Sequence, residues 1–200
     1  MLFYGLDRFS VDLDFDLLTV DGVDQSKMLK EVVEIIEKYG KVKEQYVKQH
    51  TIFGLLSYGE TDRNIKIVIN TRPPMPTIRE YYELTEYLGT SMFVAKQDFM
   101  FASKLVALVD RRRFAVRDVY DVYFFAKQNW QINAEVILYK TGKGVRDYLV
   151  DCVAKVEQMK DVDVLQGLGE LVSEKQKSWI RMNLKKETIF LLKNYRAALS

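Results

Sequence analysis

Residues 7–16, Asp7-Arg8-Phe9-Ser10-Val11-Asp12-Leu13-Asp14-Phe15-Asp16, decide how the rest of the chain is read. Taken as a strand, they alternate: Val11, Leu13, Phe15 and Leu17 point to one face, and Ser10, Asp12, Asp14 and Asp16 to the other. Aspartate is disfavoured in strands because its short side chain competes with the backbone for hydrogen bonds. Three on one strand face therefore ask for a reason. Carboxylates two apart in a strand lie roughly 6–7 Å apart at Cα, so both can lean toward one hard cation. Oxygen-only ligation suits magnesium, which keeps several waters and takes further oxygens from substrate phosphates. The plainer reading is an edge strand whose solvated charges block edge pairing. Spacing alone supports both equally.

Two hundred residues suffice for one substantial domain or for a small α/β domain with a helical extension. A composition 48% hydrophobic and 29% charged is that of a soluble globular protein, and cytoplasmic residence is expected. No window approaches the roughly 18 consecutive apolar residues of a membrane span, and Met1–Phe9 lacks the features of a secretory signal. A single cysteine, Cys152, excludes an internal disulfide framework. With a single histidine, His50, it argues against a zinc site. A net charge of +2 gives no global signal for nucleic acid, so any such surface must be local.

Outward from the acidic strand, Asp21-Gly22 marks a turn. Asp24 or Ser26 then caps a helix to about Tyr39, with Met28, Leu29, Val32, Val33, Ile35, Ile36 and Tyr39 as its buried stripe. Residues 46–58 and 64–70 read as two strands of a hairpin, with His50 inside the first. In the second, Lys66, Val68 and Asn70 oppose Ile65, Ile67 and Ile69. All three prolines lie in Pro73-Pro74-Met75-Pro76, a stiff connector. Thr77 and Glu80 read as the capping box of a helix to about Leu88, closed by Gly89. Met92–Ala95 reads as a short strand.

The second informative stretch is residues 103–125, SKLVALVDRRRFAVRDVYDVYFF. On a helix the neighbours of Lys104 are Met100, Phe101, Ala107 and Leu108, all apolar. Its ammonium must snorkel or meet a buried anion. Arg117, Asp118 and Asp121 open the next helix. Acids there either offset the macrodipole or orient Lys104 or Arg117. From Trp130 onward the pattern is helical: 133–139, 144–159, and 165 to the end with a break near Gly167–Gly169. Between Lys175 and Arg196 stand seven basic residues and one acid, with Trp179 and Tyr195 among them. A solvated helix face explains this, and so does an RNA track with stacking aromatics.

Tyr4–Asp16 and Ser103–Phe125 together resemble the AbiEii/AbiGii toxin family, bacterial nucleotidyltransferase-like proteins of the DNA polymerase beta superfamily. The resemblance implies an α/β (α+β) fold: a nucleotidyltransferase-like mixed sheet with flanking helices over residues 1–90, then a helical C-terminal domain over 91–200. It implies Mg2+ on Asp12 and Asp14, and a catalytic set completed by Lys104, Asp118 and Asp121. Candidate nucleotide contacts are Ser10, Lys66, Lys104, Arg112 and Arg117. The implied activity is transfer of a nucleotidyl group from a nucleoside triphosphate to an RNA such as tRNA, in partnership with an antitoxin protein. Two departures are visible. The family's phosphate-cradling Gly-Gly-Ser/Thr turn stands about ten residues before this signature. Met1–Asp7 resemble the tail of the helix that follows it, so the turn is expected to be missing and the α/β domain N-terminally incomplete. A third acid is expected near Val68. Both departures motivate the alternative of an inactive remnant that binds nucleotide, RNA or a partner.

Overall fold

The computed structural model describes residues 3–10, 12–59 and 63–199, with the side chain of Arg63 excepted. The chain divides into two compact units, residues 10–80 and residues 1–9 with 81–200. The division thus falls at 80/81, against the boundary near 90 read from sequence, and the first nine residues belong to the helical unit.

The first unit is a four-stranded mixed sheet, in the order β1-β4-β3-β2. β1 (Asp12–Asp16) runs parallel to β4 (Arg63–Asn70), while β3 (Thr51–Tyr58) is antiparallel to β4 and to β2 (Lys41–Lys48). The strand thus starts at Asp12 rather than Asp7, and Val11 lies outside the described residues. The span read as one strand from Tyr46 is the end of β2, a two-residue turn and β3. His50 sits in that turn beside Gln49, whose φ is +28°. The helix α1 (Gln25–Ile36) is capped by Asp24, whose carboxylate accepts from the Ser26 and Lys27 amides. It packs Ile36, with Met28, Leu29 and Val32, on Ile52, Leu56, Ile67 and Ile69 of one sheet face. Ile35 and Tyr39, assigned to that stripe from periodicity, are 55% and 72% exposed, and Tyr39 lies beyond the helix's end at Ile36.

The second unit opens with the chain's first residues, and residues 3–9 carry no helix. They form a strap: Tyr4 Oη donates to the Ala95 carbonyl at 2.8 Å, Gln176 Nε2 to the Asp7 carbonyl at 2.6 Å, and the Phe9 amide to the Leu171 carbonyl at 2.8 Å. The helix expected from Thr77 is a short 3-10 turn, Ile78–Tyr81, running into β5 (Tyr82–Tyr87), which pairs with β6 (Thr90–Ala95). Thr77 and Glu80 close a turn, and Gly89 is not a helix cap. Leu88 and Gly89, at φ +50° and +77°, are the two central residues of a tight hairpin.

Among the described residues five α-helices complete the unit: α2 (Gln97–Asp110), α3 (Val116–Lys127), α4 (Ala134–Thr141), α5 (Val145–Glu157) and α6 (Glu174–Ala198). Phe101, Leu105, Phe125, Ile137, Leu149, Ile180 and Leu184 form their core, each at most 1% exposed. In α6 the basic stretch is partly committed to structure: Lys185 donates to the Met159 carbonyl, Lys193 pairs with Glu157, and Trp179 packs on Tyr123. Among the described residues no helix is long and apolar enough to cross a membrane.

Candidate active site

The acids of β1 share the sheet face opposite α1. Register sets Asp12 beside Lys66, Asp14 beside Val68 and Asp16 beside Asn70. Lys66 Nζ stands 3.7 Å from Asp12 Oδ1, an ion pair longer than a hydrogen bond, with side chains 50% and 14% exposed. Asn70 Nδ2 donates to Asp16 Oδ1 at 2.8 Å, and Ser10 Oγ to the Asp12 carbonyl at 3.2 Å. The structure therefore gathers Ser10, Asp12, Asp14 and Lys66 on and beside one strand pair. Asp16 is turned to a structural bond with Asn70. The apolar residues of the same strand, Leu13 and Phe15, are 50% and 53% exposed, because β1 is an edge strand.

Two carboxylates two residues apart, offering only oxygen, fit magnesium. That ion takes one or two carboxylates and leaves its other positions to water and substrate phosphate. Among the described residues no three His, Cys, Asp or Glu groups converge as a closed metal cluster. Val68 stands where a third carboxylate would touch Asp14.

The second motif belongs to the helical unit and has a different character. Asp121 on α3 is fully buried, not at the edge of an apolar face. Arg8 of the strap grips it through Nε at 2.7 Å and Nη2 at 2.9 Å, the fork geometry that strengthens such pairs. Lys104 of α2 bridges both acids, 3.0 Å from Asp121 Oδ2 and 3.4 Å from Asp118 Oδ1. Arg111 Nε lies 2.9 Å from Asp118 Oδ2. Burial alone would raise the Asp121 carboxyl, but the Lys104 ammonium and the Arg8 guanidinium outweigh it and hold it below the usual carboxylate range. Lys104 is thus no snorkelling lysine; its partners are carboxylates.

Arg117 is half-buried in the first turn of α3, and Arg112 is exposed in the loop before it. Sequence reasoning missed Arg8 and Arg111 as partners of the two acids. The signal was available: two acids on an apolar helix need cations, and Arg8 lies inside the first motif.

A mixed sheet with a paired-aspartate edge strand, next in sequence to a helical unit, defines the nucleotidyltransferase-like class. Residues 1–163 match the family described as "Nucleotidyl transferase AbiEii toxin, Type IV TA system", and the chain belongs to it. Among curated proteins nothing matches. Two solved structures share the fold. The crystal structure of JHP933 from Helicobacter pylori is 19% identical, with a TM-score of 0.51 over 98% of this chain and 82% of that one. The crystal structure of an H. pylori protein described as a candidate nucleotidyltransferase is 22% identical, with a TM-score of 0.50 over 97% of this chain and 84% of that one.

Proposed function

We propose that the protein is a magnesium-dependent nucleotidyltransferase that moves a nucleotidyl group from a nucleoside triphosphate to an RNA, tRNA being the foremost candidate, and that an antitoxin protein restrains it. Family membership supports the transferase and toxin–antitoxin class. The observation that carries the reading is the placing of Asp12 and Asp14 on one strand face with Lys66 beside them.

In the reaction an acceptor hydroxyl oxygen attacks the α-phosphorus, its proton leaves to solvent, and pyrophosphate departs as the new phosphodiester forms. Asp12 and Asp14 would hold magnesium, which would neutralise phosphate charge and lower the pKa of the attacking hydroxyl. The chain's own contribution is positioning. The two carboxylates fix where the phosphates dock, Ser10 ties the start of β1, and Lys66 adds a cation for phosphate oxygens. Lys104, Asp118 and Asp121 act as positioning residues, holding the strap and two helices in one arrangement.

The experiment is incubation with each α-labelled triphosphate, magnesium and total tRNA. Label in RNA, abolished in Asp12→Ala/Asp14→Ala, supports the reading; no transfer from any of the four triphosphates sinks it. A second reading, a module that binds nucleotide or RNA without turnover, is favoured by Val68, an aliphatic residue in register with Asp14. It predicts binding of triphosphate with no label transfer.

A further inference from the structure

The sheet face that carries Asp12 and Asp14 also carries an aromatic pair that the mechanism above does not use. Tyr46 of β2 and Phe53 of β3 are cross-strand partners. Their rings are stacked, with centroids 4.8 Å apart and planes within 15° of parallel. That separation equals the roughly 4.8 Å between neighbouring strands. Tyr46 of β2 thus covers one face of the Phe53 ring, and the other face is the one on the β4 side. From Phe53 the next residue in that direction is Val68, and the one after it is Asp14. The face is the one away from α1: a Cβ on neighbouring Gly54 would meet Ile36 of that helix at 3.3 Å, so Phe53 points the other way. Tyr46 is 38% exposed, and Phe53 and Val68 are partly exposed.

Valine is short beside phenylalanine. Between the outer face of the Phe53 ring and the Asp14 carboxylate it leaves a slot one strand wide. A planar heteroaromatic ring stacked on Phe53 would stand above Val68, with its sugar and phosphate one strand spacing on, at the acids. Lysines stand on the same face: Lys66, two residues before Val68 on β4, beside the slot, and Lys48, two after Tyr46 on β2, on the far side of the aromatic pair. Aromatic faces interleaved with lysines are the chemistry of a nucleotide chain, whose bases stack and whose phosphates need charge.

We propose that Phe53, backed by Tyr46 and floored by Val68, is the stacking platform for a nucleobase whose phosphates reach the Asp12–Asp14 site. It rests on the reading of that site as a nucleotidyl-transfer centre. Stacking tolerates every base, since each has a π face, so the slot fixes position rather than base identity. The base belongs either to the triphosphate or to the terminal nucleotide of the RNA acceptor.

The test uses the full chain with Phe53→Trp, which keeps a stacking ring and makes it fluorescent, read as a difference from the wild-type signal of Trp130 and Trp179. ATP, a single-stranded RNA octamer and inorganic triphosphate are titrated separately. Quenching by ATP assigns the slot to the triphosphate, and quenching by the octamer alone assigns it to the acceptor. Inorganic triphosphate should leave the signal unchanged. Adding Val68→Phe fills the slot and should weaken the quenching ligand about ten-fold or more, with folding checked by the thermal melt. Quenching by neither nucleotide, or quenching unaltered by Val68→Phe, overturns the platform. In the transfer assay Phe53→Leu should raise KM for the same ligand about ten-fold. Quenching by a protein that transfers no label would support the platform and sink the transferase reading. Label transfer with KM unchanged in Phe53→Leu would sink the platform alone.

Discussion

The two acidic motifs of this chain use the same residue types for opposite ends. On β1, three aspartates share one strand face, and Lys66 on the neighbouring strand stands 3.7 Å from Asp12. On α3, two aspartates face three cations, Arg8, Lys104 and Arg111, with contacts from 2.7 to 3.4 Å. The first site lies on an edge strand, with Asp14 and Asp16 exposed to solvent. The second has its acids matched by protein cations, in a core where leaving one unmatched is costly. Carboxylates on an exposed edge strand are open to a ligand; a matched cluster in a core is architectural.

That contrast breaks first on activity. Asp12→Ala and Asp14→Ala remove the two proposed metal ligands, so transfer should fall by about a thousand-fold or more, several kcal/mol of lost charge stabilisation. Asp14 is exposed, and the folding stability of Asp14→Ala by urea denaturation should stay within the ±0.5 kcal/mol of ordinary surface changes. Asp121→Asn should do the reverse. It keeps the shape but leaves Arg8 and Lys104 facing a neutral amide, which costs about 3–5 kcal/mol of folding stability by urea denaturation. Lys104→Met comes next, at about 1–3 kcal/mol, because Arg8 and Arg111 still hold the acids. A Lys104→Met protein that melts like wild type yet transfers no label would move this lysine from framework to chemistry.

Acid adds a second axis to the comparison. Asp121 has its pKa lowered in the folded state, with the Lys104 ammonium and Arg8 guanidinium outweighing the burial that would raise it. A depressed folded pKa means stability that is present above the ordinary carboxylate value and lost as pH falls through the folded one. The loss should therefore begin below about pH 4 and be absent from Asp121→Asn, whose melting curves at pH 3 and pH 6 should differ less than those of the wild type.

How far sequence carries such a reading depends on the range of the signal. The alternation of Asp12, Leu13, Asp14, Phe15 and Asp16 and the cap at Asp24 are local, and the structure keeps them. The segment from Thr77 to Gly89 misleads because its helix signals are local while the pairing that overrides them is not. Tyr82, Leu84 and Glu86 find partners on β6, and the turn at Leu88-Gly89 brings them there. Residues 3–9 mislead for a related reason: their bonds go to Ala95, Asp121, Leu171 and Gln176, far along the chain. The Lys104 partnership was legible as a requirement, since an ammonium on an apolar helix face needs an anion. Which cations share the anions was not, because Arg8 reaches Asp121 across 113 residues.

The subtlest way to sharpen the comparison is to rebuild the missing acid. Val68 stands in register with Asp14, and Val68→Asp places a further carboxylate beside it. Without metal, like charges on adjacent strands repel, and the variant should lose up to about 1 kcal/mol. With metal the sign should reverse, because another oxygen ligand tightens binding and a ligand bound only by the folded state stabilises it as its concentration exceeds Kd. Thermal melts with EDTA and with millimolar magnesium should thus place Val68→Asp below wild type in the first and level with it or above in the second. Asp121→Asn, altered at the matched site, should show no such crossing. If Val68→Asp melts lower by the same amount in both buffers, the acids of β1 hold no ion, and the contrast between the two motifs reduces to exposure alone.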